Sequence, residues 1–161
     1  METYQKILVP LDGSKLSESV LPEAEKLATI SKAEICLIRV AYSPVNMLRT
    51  EPFARQAEIT REAEQYLKNI KKHLEAKGLT VESWVWYGPN AAKEILNHIE
   101  FFGTDLIVMA THGRSGLRHL LMGSVAESVV RNTTKPVILV RPQPEAIDKF
   151  AEIGAYAHIA N

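Results

Sequence analysis

Two stretches of this chain carry residues whose types and spacing could do chemistry. The first is Asp12-Gly13-Ser14, which follows a short apolar run. An aspartate there can accept from a turn or a helix start, hydrogen-bond a ligand hydroxyl, or hold a divalent cation near phosphates. The second is Leu106–Arg141, LIVMATHGRSGLRHLLMGSVAESVVRNTTKPVILVR. Its apolar opening, Leu106–Ala110, breaks into a glycine-bearing loop and reopens as a helix at Gly123-Ser124. No acidic residue falls between Leu106 and Ala126, whereas His112, Arg114, Arg118 and His119 all do. A strand, a basic glycine-rich loop and a helix N-terminus make an anion site, because unpaired N–H groups and the helix dipole point the same way. Ser124-Val-Ala-Glu127 reads as a capping box, with Ser124 as N-cap and the Glu127 carboxylate reaching back. The bland alternative is an ordinary strand–loop–helix unit whose glycines serve turns alone.

Other chemistries fit less well. A Walker A loop is excluded, since no Gly-Lys pair exists in the chain. Gly113, Gly116 and Gly123 lack the dinucleotide-fingerprint spacing. Gly113-Arg114-Ser115-Gly116-Leu117 misses the last glycine of a nucleophile elbow. A triad of Asp12, His112 and a serine has no support in spacing, and the histidines lack zinc-site patterns. A phosphoacceptor receiver needs an aspartate at the end of the third strand, where Tyr87-Gly88 stand.

These residues must be positioned by regular elements, and the hydrophobic pattern supplies them. Lys6–Leu11, Ile35–Val40, Val81–Tyr87, Leu106–Ala110 and Pro136–Val140 read as strands, four of them short apolar runs suited to burial on both faces. Between them lie helical spacings. Val20, Ala24, Leu27, Ala28 and Ser31 share one face after Ser14, and Ala63, Tyr66, Leu67, Ile70 and Leu74 mark a long helix from about Phe53 to Lys77. Gly78 suits its C′ position. Ala92, Ile95, Leu96 and Ile99 mark a third helix ending near Gly103, and Ser124–Thr133 a fourth. Strict alternation implies an α/β single domain with a doubly wound five-stranded parallel sheet, helices on both faces and right-handed crossovers. The expected order is 3-2-1-4-5. It sets the first and fourth strands side by side, so that Asp12 and the Ala110–Gly113 turn face one crevice at the point where winding reverses.

The chain has 161 residues, 46% hydrophobic and 24% charged, with zero formal net charge. One domain with a good-sized core is expected, and no global field draws it to nucleic acid or to an anionic membrane. Cys36, alone in an apolar run, reads as a small core hydrophobe. No signal pattern and no apolar span near ~18 residues occurs, so a cytoplasmic protein is expected.

The words ILVPLDGS, DLIVMATHGRSG, GSVAE and KPVILV, taken together, closely resemble the universal stress protein family over about residues 4–142. Nucleotide-binding members show G-x2-G-x9-G-[S/T]. Gly113, Gly123 and Ser124 fit, while Ala110 replaces the first glycine. If that backbone needs a positive φ, alanine is strained there; if φ is negative, it costs little. The resemblance implies a homodimeric, cytoplasmic ATP-binding stress-response protein, with AMP as an alternative ligand and Mg²⁺ or Mn²⁺ accompanying a triphosphate. Carried over by position, Pro10, Leu11, Asp12, Val40, Met109 and Ala110 form the adenosine side. Gly113, Gly123, Ser124 and Val125 hold the phosphates, with Arg114 beside them. The implied dimer pairs the fifth strand, Val137–Val140, with its mate. Residues 1–142 form the nucleotide-binding domain and 143–161 a tail beyond the resemblance. The expected role is regulatory or protective with slow or no hydrolysis; the alternatives are an ATPase or adenylyl-transferring enzyme on a similar fold, or a dimeric interaction module with a vestigial site.

Overall fold

The computed structural model describes residues 4–42, 53–113 and 122–141, with the side chains of residues 42 and 53–56 left aside. Arg114, Arg118, His119 and the 143–161 tail lie outside the described residues. The elements run β1 (Lys6–Pro10), α1 (Lys15–Glu18), α2 (Leu21–Ser31), β2 (Glu34–Tyr42), α3 (Phe53–Glu75), β3 (Val81–Gly88), α4 (Ala91–Phe102), β4 (Leu106–Ala110), α5 (Ser124–Asn132) and β5 (Val137–Val140). All strand pairs are parallel and the order is β3-β2-β1-β4-β5, as the alternation predicts.

Local chemistry explains the boundaries. Ser14 caps α1, its side chain accepting from the Ser17 N–H. The single helix expected after Ser14 is two, α1 and α2, and Pro22 in the first turn of α2 supplies the reason. Proline has no N–H to give to the preceding turn and is tolerated only at a helix start. The Asn90 side chain caps α4 by accepting from Lys93 N–H at 3.1 Å, and Gly103 ends it at φ +64°. Gly78 follows α3 at φ +83°, the left-handed conformation that glycine adopts without Cβ strain.

Alternation along the buried strands sends side chains to both faces. Ile7, Val9, Leu11, Ile35, Leu37, Leu106 and Val108 pack under α2 and α3, joined by Leu67, Ile70 and Leu74. Leu8, Cys36, Ile38, Ile107 and Met109 pack under α4 and α5, against Ile95, Ile99 and Val129. Register then aligns the strand ends. Ile7 pairs with Leu106 and Leu8 with Ile107, so the residues that follow Pro10 and Ala110 leave the sheet side by side. Among the described residues no helix is long and apolar enough to cross a membrane.

Candidate functional site

The strand ends open on a cavity of about 310 Å³ on the α4/α5 side of the sheet. Pro10, Leu11, Asp12, Val40, Met109, Ala110, Gly113, Gly123, Ser124 and Val125 all line it. Of the residues that sequence singled out for the site, only Arg114 is missing from the lining, and it lies outside the described residues. Sequence reasoning placed the Ala110–Gly113 turn there, Thr111 and His112 included, but not Ser17, Ile38, Ala91, Ile95 or Ala126. Ile38 shares a strand face with Val40, and that period of two was a readable signal. Ala91 and Ile95 reach the cavity only through packing of α4 on the sheet, which no local pattern announces.

Asp12 is fixed before any ligand arrives. Its Oδ1 accepts from the Ser14 N–H at 2.9 Å and from the Ser14 hydroxyl at 2.6 Å. Its own N–H donates to Ser17 Oγ at 3.2 Å, and the Ser17 hydroxyl donates to the Ser14 carbonyl at 2.9 Å. A Cβ on Gly113 would collide with the Asp12 carboxylate, so a side chain there must displace that group.

The far wall is the start of α5. Gly123 N–H donates to the Thr111 carbonyl at 2.7 Å, bringing the two ends of the loop together. A Cβ on Gly123 would stand 3.2 Å from that carbonyl oxygen. Here the capping-box expectation is corrected. Gly123, at φ −73° and ψ 154°, is the N-cap, and Ser124 is the first helical residue. The Glu127 carboxylate does not reach back; it pairs with Arg131 one turn on, at 2.8 Å. An i,i+4 cation competes for the same oxygen that a capping box would use. Ser124 is thereby left exposed, with no hydrogen-bond partner among the described residues. The first helical bond runs from Glu127 N–H to the Gly123 carbonyl, so the N–H groups of Ser124, Val125 and Ala126 have no intrahelical acceptor. The arrangement can receive an anion at the positive end of α5.

Ala110 carries no strain. Lys32 is the only non-glycine residue with positive φ among the described residues, and Ala110 lies in β4 paired with Val140. Ala110 belongs to the core under α2 and α3 as well as to the cavity lining. Beside it, Thr111 Oγ1 lies 3.0 Å from His112 Nδ1, which orients the ring at the cavity edge. No group of three or more His, Cys, Asp or Glu suited to a metal ion exists among the described residues.

Comparison with known proteins agrees with this architecture. Residues 3–141 match the family described as the universal stress protein family. Universal stress protein MJ0577 of Methanocaldococcus jannaschii is 31% identical over 156 residues, covering 86% of this chain and 95% of that protein. The solved structure of MJ0577 superposes with a TM-score of 0.79 at 33% identity, over 88% of this chain and 99% of that one. A universal stress protein solved in complex with cAMP has a TM-score of 0.62 at 24% identity, over 88% and 100% of the two chains. An Arabidopsis thaliana family member solved with AMP bound has a TM-score of 0.66 at 17% identity, over 88% and 94%. At those identities the last two speak for the fold alone.

Proposed function

Because the chain belongs to the universal stress protein family, we propose that its cavity binds an adenine nucleotide, ATP or AMP, and that the protein works as a cytoplasmic regulatory or protective nucleotide-binding dimer. The observation that carries this reading is the wall made by Gly113, Gly123 and the start of α5, where close-approaching backbone, three N–H groups and the Ser124 hydroxyl face one space. That donor set suits phosphate oxygens. Pro10, Leu11, Val40 and Met109 give the opposite, apolar side that a purine needs, and Asp12 presents a carboxylate to a ribose hydroxyl. Arg114, next to Gly113 in sequence, would add charge to the phosphate side. Binding of cAMP and AMP by two proteins of the same fold supports the ligand class.

Mg²⁺ or Mn²⁺ would come with a triphosphate. The cavity offers it one carboxylate, Asp12, so the phosphates themselves would supply most of the oxygen ligands, as magnesium at nucleotide sites commonly has it. Hydrolysis is a second reading, favoured by His112, whose ring stands beside the proposed phosphate wall. Denaturing the purified protein and chromatographing what is released tests the ligand class: adenine nucleotide at near-stoichiometric amount supports it. Turnover of added ATP faster than roughly one event per minute would favour the enzyme.

The dimer is proposed through β5. It pairs with β4 on one side and forms the sheet edge on the other, where unpaired N–H and C=O groups invite a second strand. Antiparallel pairing of Val137–Val140 with its two-fold mate would close that edge. Ile138→Lys should then give monomers in sedimentation; an unchanged mass places the interface elsewhere.

A further inference from the structure

β3 stands at the opposite edge of the sheet from β5 and pairs with β2 alone. Which of its backbone groups are open follows from one bond. Ile35, the partner of Val81 in register, donates its N–H to the Thr80 carbonyl at 2.9 Å. In a parallel ladder the residues that bond a given neighbour alternate. Thr80, Glu82, Trp84 and Trp86 therefore turn their N–H and C=O groups toward β2, and Val81, Ser83, Val85 and Tyr87 turn theirs outward. Among the described residues no backbone bond is made to those four from outside the sheet.

The surface beside this edge is aromatic. Trp84 is 38% exposed, Tyr87 47% and Phe101, near the end of α4, 78%. The Trp84 ring lies 4.8 Å from that of Phe102, and Trp86 6.4 Å from Phe101, centroid to centroid. Both tryptophans of the chain and two of its four phenylalanines thus gather here. The strand has neither the proline nor the lysine that commonly guards a free edge. A second copy of the same strand fits it. Antiparallel pairing about a two-fold axis at Trp84 sets Ser83 opposite Val85 of the mate and Val81 opposite Tyr87. That register engages all four outward residues in hydrogen-bonded pairs. It also brings Trp84 beside its mate in a non-hydrogen-bonded pair, the closer kind, where aromatic pairs stabilise a sheet. Glu82 then faces Trp86, so no like charges oppose each other across the axis.

We propose that the β3 edge is a second self-association surface, joining copies of this chain through antiparallel β3–β3 pairing centred on Trp84. The inference is independent of the nucleotide reading. A single strand edge belongs with weak contacts, which bury under about 1,200 Å², and a Kd of about 0.1 mM is expected. It adds to pairing through β5 only in concentrated protein, and the Ile138→Lys test is read at micromolar concentration, below that range.

Sedimentation of the full chain at about 10 µM and about 1 mM tests it, and the weight-average mass should rise about 1.5-fold between the two. Ser83→Pro removes one outward N–H, leaves the β2 ladder whole, and should hold the mass at its dilute value. A constant wild-type mass, or a rise that Ser83→Pro does not reduce, overturns the proposal. Cross-linking reads the register without relying on the fold of that variant. Under mild oxidation Trp84→Cys should form a disulfide-linked dimer, because residues facing each other in a non-hydrogen-bonded pair lie within disulfide reach. Tyr87→Cys, at a more exposed position but about 20 Å from its mate in this register, should not. Cys36 is buried and takes no part. Cross-linking at equal rates, or faster for Tyr87→Cys, overturns the proposal even where the mass rises.

Discussion

The two ends of the same parallel sheet are built on opposite principles. At the amino-terminal end the connections are closed. The Asp105 carboxylate accepts from the Gln5 N–H at 2.8 Å and the Lys6 N–H at 3.1 Å. Lys6 Nζ meets Glu34 at 3.3 Å and Glu82 at 3.7 Å, and backbone bonds from Glu34 and Asp105 tie β2 and β4 to the start of β1. Among the described buried side chains on that side, the Thr104 hydroxyl and His98 Nδ1 make no hydrogen bond. At the carboxyl-terminal end a cavity remains, two glycines keep side chains out of it, and Ser124, Glu18 Oε1 and Tyr66 Oη are left over. The sheet ties its strands together with ion pairs and charged hydrogen bonds at one end and keeps its cavity at the other. Variants should therefore separate the two.

The largest expected effect is on stability and involves no cavity residue. His98, on the inner face of α4, is fully buried among Trp84, Trp86 and Phe102, with Nε2 3.6 Å from Cys36 Sγ. Burial, and then the Lys6 charge, lower its pKa to about 4. The unfolded chain takes up this proton below its ordinary value near ~6.5, and the folded protein does so only near 4. Stability is thus fully present above ~6.5, falls as pH drops toward 4, and levels off below; the shift corresponds to roughly 3 kcal/mol. Denaturant unfolding across that window should show the slope, and His98→Asn should flatten it.

Asp105→Ala tests the closed end. Two backbone N–H groups lose a charged acceptor, so unfolding should become easier by about 2 kcal/mol, with ATP affinity unchanged. Gly113→Ala is its counterpart at the open end. The new methyl must displace the Asp12 carboxylate, and calorimetry should record roughly a tenfold loss of ATP affinity, about 1.4 kcal/mol. A variant pair with the opposite pattern would break the comparison.

How much of this was legible follows the same division. The five strands, the long helix α3 and the Gly78 and Gly103 helix ends are local or periodic, and hydrophobic period and turn chemistry convey them, while the strand order follows from β–α alternation. The errors arose where two residues compete for one local role. Gly123 and Ser124 are both acceptable N-caps, and the Gly123 bond to Thr111, twelve residues back along the chain, decides between them. The split between α1 and α2 was foreseeable from Pro22; the apolar spacing from Val20 to Ser31 concealed it. β2 extends to Tyr42 because β3 offers a partner as far as Gly88, and pairing partners are not visible in a single strand. The aromatic surface of Trp84, Trp86, Phe101 and Phe102 was illegible for the same reason: each ring reads as a core position until β3 and α4 meet at the sheet edge.

The measurement that tests the central claim most directly is calorimetric titration of ATP and of adenosine into the wild type and into Ser124→Asp. Aspartate in the first turn of α5 suits the positive helix end, so the melting temperature of the empty protein should hold or rise slightly. It removes a hydroxyl donor and sets a carboxylate against the proposed phosphate wall, where repulsion is poorly screened. The account predicts saturable ATP binding by the wild type, at least about tenfold weaker ATP binding by Ser124→Asp, and equal adenosine binding by both. Wild-type ATP affinity in Ser124→Asp, or no ATP binding by the wild type, would contradict it.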